Sequence, residues 1–180
     1  MNYYGGKELA ESFRTVRKNT LAVAEDIPED KYSFRAAPET RTVGEVLVHI
    51  AVSSTFPYRV HAEERRATFE GIDFPGLFRQ MAAEEKTPRT KAQIIELLTK
   101  NGETWAKWVE GTSDATLAEV VHMPPGAMPA SRKRFDMILS VKEHEMHHRA
   151  QLMLIERMIG IVPHLTRRMQ ERMAAAMAKK

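Results

Sequence analysis

Cysteine is absent from this chain of 180 residues. The absence excludes disulfide bonds and thiolate ligands, so a metal ion could be held only by histidine or carboxylate side chains. It also fits a reducing compartment, and residues 1–6 lack the charged start and apolar run of a signal peptide. We therefore expect a cytoplasmic protein.

Long apolar runs are missing as well, since no stretch reaches the roughly 18 residues of a membrane-spanning helix. Charge of one sign is not in large excess, because the chain has 27 Lys and Arg residues and 24 Asp and Glu residues, which gives a formal net charge of +3. No aromatic residues interleave with the basic residues near the C-terminus, so we expect a solvated tail and no binding of nucleic acid or membrane.

The hydrophobic fraction of 43% is enough for one domain over residues 1–180, with a core at about 7–160 and a C-terminal extension at 161–180.

Four long segments repeat apolar residues at the spacings of three and four that are typical of a helix. They lie at about 7–27, 42–69, 90–111 and 131–159, and Pro57 is expected to interrupt the second. Shorter helices are expected at about 77–85 and 165–178, and strand alternation of useful length is missing. The pattern predicts an all-α protein, a four-helix bundle with long connections and a short C-terminal helix.

Two polar residues are predicted to begin helices. Thr42 is followed three residues later by Glu45, which is the pattern of a capping box. Glu45 also lies one turn before His49 and could orient that imidazole, although capping is the more ordinary role. Ser131 is the predicted N-cap of the fourth long helix.

The fourth segment carries two histidines within an apolar stripe. His144 and His148 lie one helical turn apart and therefore on the same face, so they could share one ion. His147 lies toward the flank of the stripe and is a poorer candidate. His49 borders the apolar face of the second helix and could supply a third imidazole, which would give a three-histidine site with open coordination positions. The apolar members of the stripe are Met137, Val141, Leu152 and Ile155.

The spacing alone leaves two interpretations open. One histidine on an apolar face is usually a hydrogen-bonded core residue, but burying two unpaired imidazoles is costly. A metal site and an ordinary buried pair are about equally compatible with this pattern. We expect His61 and His164 at the surface or at an interface, and His122 in a loop.

At these residues the chain resembles the DinB/YfiT-like family of metal-binding helical bundles. Residues 30–51, DKYSFRAAPETRTVGEVLVHIA, are similar to the family's approach to its first histidine. Residues 143–152, EHEMHHRAQL, are similar to its H-x-x-x-H-R-x-Q signature, with Ala150 where glycine is common. The resemblance extends over residues 8–163 and implies the fold of a four-helix bundle, often a homodimer.

The resemblance also implies what the site holds. The family's metal ligands fall on His49, His144 and His148, and the ion would be zinc or nickel, with iron or manganese as alternatives. Some relatives transfer bacillithiol, mycothiol or glutathione, so the expected activity is transfer of a low-molecular-weight thiol to an electrophilic small molecule. The alternatives are hydrolysis by activated water and a non-enzymatic metal-binding dimer. No catalytic side chain is predicted.

Residues 144–148 also match H-E-x-x-H, the motif of zinc proteases. In that interpretation Glu145 would be the general base. The usual downstream third ligand is missing and no strand could align a peptide, so the sequence disfavours a protease. The helical spacing leaves Glu145 either at the edge of the site or outside it.

Overall fold

The computed structural model describes residues 4–178, and these form a mainly helical molecule. A 3-10 turn spans Glu29–Lys31 and a π-helical turn spans Arg59–Glu63. Two short antiparallel strands are β1 (Val120–His122) and β2 (Ser131–Lys133). The α-helices are α1 (Gly6–Asp26), α2 (Val43–Ser53), α3 (Thr55–Tyr58), α4 (Phe74–Lys86), α5 (Lys91–Glu110), α6 (Asp114–Ala118), α7 (Arg134–Met158) and α8 (His164–Met177).

The long helices α1, α2, α5 and α7 form the predicted four-helix bundle. Both α1 and α2 pack against α5 and α7, so α1 and α2 lie on one diagonal of the bundle. The apolar stripe of α1, which includes Leu9, Phe13 and Val23, is buried against these neighbours. Each such side chain contributes roughly 1.5–3 kcal/mol to folding. Helix α4 covers α2, and α8 packs against α1.

The second segment is helical over a shorter range than its periodicity predicts. Helix α2 ends at Ser53, and α3 and the π-helical turn carry the chain to Glu63, where Glu64 N–H donates to Arg59 O over 2.8 Å. The helix does not continue to residue 69, because Arg65 has a φ of 48°. This left-handed conformation cannot be part of a right-handed helix.

One predicted helix start is confirmed and one is wrong. The amide of Glu45 donates to Thr42 Oγ1 over 3.2 Å, and the amide of Thr42 donates to Glu45 Oε2 over 2.7 Å, so the capping box is present. Ser131 does not cap α7. It lies in β2 and pairs with His122 of β1, which was expected in a loop. Strands of three residues are too short for their alternation to be recognised in a sequence.

Among the described residues, no helix is long and apolar enough to cross a lipid bilayer.

Candidate metal centre

The structure brings the three predicted histidines together between α2 and α7. Nε2 of His144 lies 3.0 Å from Nε2 of His49 and 3.2 Å from Nε2 of His148. One ligand atom of each side chain falls within 4.8 Å of the others. With Zn–N bonds of about 2.0–2.1 Å, tetrahedral ligands stand about 3.3 Å apart. The spacing of these nitrogens could therefore accommodate one divalent ion.

The other ring nitrogen of His49 is held by a carboxylate that the sequence did not reveal. Nδ1 of His49 lies 2.7 Å from Glu85 Oε1, at the end of α4. Arg41 donates from Nε to Glu85 Oε2 over 2.6 Å, so both carboxylate oxygens are engaged. Although burial alone would raise the pKa of Glu85, the hydrogen bonds from Arg41 and His49 hold it below its usual value. Glu45, the partner considered from sequence, instead caps α2.

His148 has a partner on its own helix. Its Nδ1 lies 2.9 Å from Gln151 Oε1. The amide nitrogen of Gln151 lies 3.2 Å from Nε2 of His147, which is exposed and outside the cluster. Gln151 therefore orients His148, in keeping with a positioning role for a residue of the H-R-x-Q signature.

The hydrogen bonds around the cluster fit a bound cation. Glu85 and Gln151 both accept, so His49 and His148 carry their protons on Nδ1 and direct Nε2 lone pairs toward His144. His144 Nε2 can offer at most one proton to these two lone pairs. A positive ion among the three nitrogens would satisfy all of them, which is the arrangement expected of a metal centre with oriented ligands.

The imidazoles are also in the protonation state that a metal requires. Burial, followed by the neighbouring histidines and Arg41, lowers the pKa of His144 to about 4. Burial likewise lowers the pKa of His49 and of His148, and the hydrogen bonds to Glu85 and Gln151 offset only part of this effect. All three rings are therefore neutral at pH 7 and able to donate a lone pair.

Glu145 faces away from the histidines. Its side chain is 1% exposed and accepts from Arg17 Nη2 over 2.9 Å and from Thr20 Oγ1 over 2.7 Å, both on α1. Arg17 also donates to the carbonyl of Leu98, and Gly102 leaves the room that its guanidinium occupies. Because both oxygens of this carboxylate are engaged by Arg17 and Thr20 of α1, it is not placed to act as the general base of a zinc protease.

Two other histidines lie in the interior, and not at the surface or an interface as the sequence suggested. His61 is 3% exposed and its Nδ1 lies 2.7 Å from Arg134 Nη1. His164 is 7% exposed and its Nε2 lies 3.2 Å from Asn19 Oδ1. Neither belongs to the metal cluster. The π-helical turn and the docking of α8 on α1 bury them, and neither effect can be inferred from local periodicity.

A cavity of about 640 Å³ adjoins the centre at His148. Its volume is within the range of small-molecule sites. Val46, Ala82 and Ile155 contribute apolar surface. The charged lining residues are three cations and three carboxylates, of which Arg35 pairs with Glu45 and Arg41 with Glu85, while Lys86 and Glu39 complete the set. The cluster is thus accessible to a small molecule that has an apolar body and charged groups.

Comparison with solved structures finds the same fold in bacterial proteins. A DinB-like protein from Bacillus subtilis is 20% identical, with 85% of this chain and 92% of that chain covered and a TM-score of 0.62. A DinB-like protein from Bacillus cereus is 16% identical, with 87% and 93% covered and a TM-score of 0.61. YfiT from Bacillus subtilis, described as a probable metal-dependent hydrolase with an unusual four-helix bundle topology, is 12% identical, with 89% and 91% covered and a TM-score of 0.68.

At these identities the likeness concerns the fold alone. No curated protein matches the chain at a significant level. A family model, however, matches residues 12–152, which include all three histidines of the cluster and most of the bundle. The chain belongs to the DinB superfamily.

Proposed function

We propose that the chain is a metal-dependent enzyme that acts on a small molecule, and that its reaction is the transfer of a low-molecular-weight thiol to an electrophile. The observation that carries the proposal is that the Nε2 atoms of three neutral histidines lie close together beside a cavity of about 640 Å³. His49, His144 and His148 would hold the ion, with zinc or nickel as the first candidates and iron or manganese as alternatives. Three protein ligands leave coordination positions open, which is typical of catalytic and not of structural sites.

When bound, a divalent ion supplies Lewis-acid chemistry by lowering the pKa of a coordinated thiol or water. The surrounding side chains do the positioning. Glu85 and Gln151 hold His49 and His148 with Nε2 lone pairs toward the centre. Arg41 keeps Glu85 ionised.

The engagement of the nearby carboxylates favours a thiol as the nucleophile. Glu145 is committed to Arg17 and Thr20, and both oxygens of Glu85 are committed to His49 and Arg41. Hydrolases commonly add a general base to assist the attacking water, whereas a thiol has a pKa of about 8.5 and ionises more readily than free water. A site without a free carboxylate at the metal therefore suits thiol transfer better.

The cavity supports the choice of substrate class. Glutathione and bacillithiol carry carboxylates, and Lys86 among the lining residues offers a complementary positive charge, whereas Arg35 and Arg41 are already paired with Glu45 and Glu85. The apolar surface of Val46 and Ile155 would accept the body of an electrophile.

Hydrolysis is the second candidate, and the description of YfiT as a probable metal-dependent hydrolase favours it. The two reactions are separated by assaying the zinc- and nickel-loaded protein with glutathione and bacillithiol against 1-chloro-2,4-dinitrobenzene, and in parallel with p-nitrophenyl acetate. Thiol conjugation that requires metal and is lost in His148→Ala supports the proposal. Metal-dependent ester cleavage without conjugation would establish the hydrolase, and loss of both activities in a fully loaded protein would favour the non-enzymatic alternative.

A further inference from the structure

A second cavity, of about 790 Å³, lies at the other end of the bundle. Its walls come from the π-helical turn, the last turns of α5, the region of α6 and the start of α7. Arg134 in this wall precedes His144 by ten residues on α7. At 1.5 Å per residue this places the cavity about 15 Å from the metal centre along the helix axis.

A network of polar side chains, built around the buried Arg134 and His61, forms one wall of the cavity. Arg134 is 2% exposed and donates from Nη1 to His61 Nδ1 over 2.7 Å and from Nη2 to Glu119 Oε2 over 2.8 Å. A guanidinium can only donate, so Nδ1 of His61 must be the acceptor. The neutral imidazole therefore carries its proton on Nε2, and it presents this donor to the cavity that the ring lines.

The neutral state of His61 is enforced by its surroundings. Burial, and then the charge of Arg134, lowers the pKa of His61 to about 4. The charged group that contacts the ring is Arg134, which is in turn ion-paired with Glu119. The tautomer with Nε2–H therefore persists throughout the physiological pH range.

The backbone at this cavity departs from regular geometry twice. The chain that carries His61 forms a π-helical turn, and Arg65 next to it has a φ of 48°. A left-handed non-glycine residue costs of order 1–3 kcal/mol, and π-helical turns are rare and frequently lie at functional sites. Both features place side chains on the cavity wall that a regular helix would direct elsewhere.

The charge and the aromatic surface of the cavity indicate the chemistry of an occupant. Arg65 and Lys107 add two positive charges to a lining in which Arg134 and Glu119 neutralise each other. The ring of Trp108 is nearly parallel to that of His61, with an angle of 9° and a centroid distance of 6.5 Å. Such a wall offers a flat aromatic surface close to hydrogen-bond donors and cations.

We propose that this cavity is a second binding site, for a small planar organic anion that carries a carboxylate or a phosphate. The anionic group lies toward Arg65, Lys107 and the Nε2–H of His61, and the planar body lies against Trp108. The site does not depend on the metal centre, and the assignment holds whatever reaction occurs there.

Trp108 provides a direct measurement, because the chain has only two tryptophans and the other, Trp105, is 1% exposed. The full chain is titrated with benzoate and phenyl phosphate while tryptophan fluorescence is recorded, and isothermal calorimetry gives the affinities. Benzamide, which is neutral but similar in shape to benzoate, is the matched ligand control. Saturable binding of either anion, about tenfold tighter than benzamide, is expected, and the ratio of the two affinities tells carboxylate from phosphate.

The variants Arg65→Gly and Lys107→Ala test the assignment of the anion-binding residues. Both side chains are exposed, and glycine accepts the left-handed backbone at 65, so the fold is preserved. Each variant is expected to weaken anion binding about tenfold, whereas Lys100→Ala, which removes an exposed cation of α5 outside the cavity, leaves it unchanged. His148→Ala must also leave it unchanged. Equal binding of benzoate and benzamide, unaltered affinity in both cavity variants, or no saturable binding of either anion would overturn the proposal.

Discussion

The carboxylate of Glu85 lies 2.7 Å from Nδ1 of His49, and this hydrogen bond joins α4 to the metal centre. It fixes which nitrogen of His49 is free to coordinate, because the protonated Nδ1 leaves the lone pair on Nε2. Arg41 completes a chain of three side chains in which a cation orients a carboxylate and the carboxylate orients a ligand. The properties expected of the centre follow from this arrangement.

Replacement of His49, His144 or His148 by alanine is expected to abolish stoichiometric metal binding. Each variant leaves two imidazoles, which hold a divalent ion too weakly to survive purification. His147→Ala, one residue from His148 but exposed and outside the cluster, is the matched control and should retain metal. Elemental analysis of the purified variants measures this, and full metal content in His148→Ala would contradict the ligand assignment.

Glu85→Gln is expected to lower metal affinity by about 10–100-fold, the usual effect of losing the partner of a ligating histidine. The amide can still accept a hydrogen bond but loses the charge that makes His49 a stronger base and that binds Arg41. Glu84→Gln alters the preceding residue of α4, which pairs with Arg89 instead. Competition with a chromogenic chelator gives the affinities, and equal values for the two variants would argue against a role for Glu85.

Glu145→Gln is expected to retain metal but to lower the free energy of unfolding by about 3 kcal/mol, because it leaves the buried Arg17 without its counter-ion. The double variant Arg17→Met with Glu145→Leu should recover most of this loss. Glu143→Gln, two residues away and exposed, serves as the control in denaturant unfolding. The wild type should not cleave casein. Metal-dependent cleavage of casein that is lost in Glu145→Gln would contradict both the structural role of Glu145 and the proposed function.

Glu156 is expected to make stability fall as the pH rises from about 4.5 to about 7. Its side chain is 0% exposed, and within residues 4–178 neither carboxylate oxygen has a hydrogen-bond partner. Burial, and then the charge of Asp26, raises its pKa from 4.5 to about 7. The folded chain therefore retains a proton that the unfolded chain has released, and the resulting destabilisation begins near pH 4.5 and is complete above pH 7.

The variant Glu156→Gln reproduces the protonated form and tests this sign. Its melting temperature should exceed that of the wild type by several degrees at pH 8, and the two should converge near pH 4.5. The exposed Glu143→Gln should show no such dependence. A gain in stability that is the same at both pH values would mean that the benefit comes from packing and not from proton binding.

A homodimer is expected from the exposed apolar face of α8. Met169, Met173 and Met177 recur every fourth residue on this helix and are all exposed. An apolar stripe of this kind on both copies could be buried about a two-fold axis. Light scattering at micromolar concentration should give about twice 20.5 kDa, and Met173→Lys should reduce it toward the monomer, whereas Met128→Lys in the loop before β2 should not. A monomeric wild type would contradict the prediction.

Much of the metal centre could be predicted from the spacing of residues that are close in the sequence. Histidines four residues apart on a helix share a face whatever surrounds them, so His144 and His148 could be paired before any fold was known. The capping box of Thr42 and Glu45 is equally local, because its two hydrogen bonds join residues three apart. The helical periodicities were long enough to predict a bundle, and the lack of cysteine restricted the ligands to histidine and carboxylate.

Only the tertiary structure decided which side chains meet across helices. Nothing near Glu85 in the sequence links it to His49, because their contact depends on α4 lying over α2. Neighbouring residues on a helix point about 100° apart, so His144 and Glu145 had to face different surfaces, but the positions of α2 and α1 determined that one meets a histidine cluster and the other an arginine. The burial of His61 likewise required the π-helical turn and the approach of Arg134, which are products of packing between segments far apart in the chain.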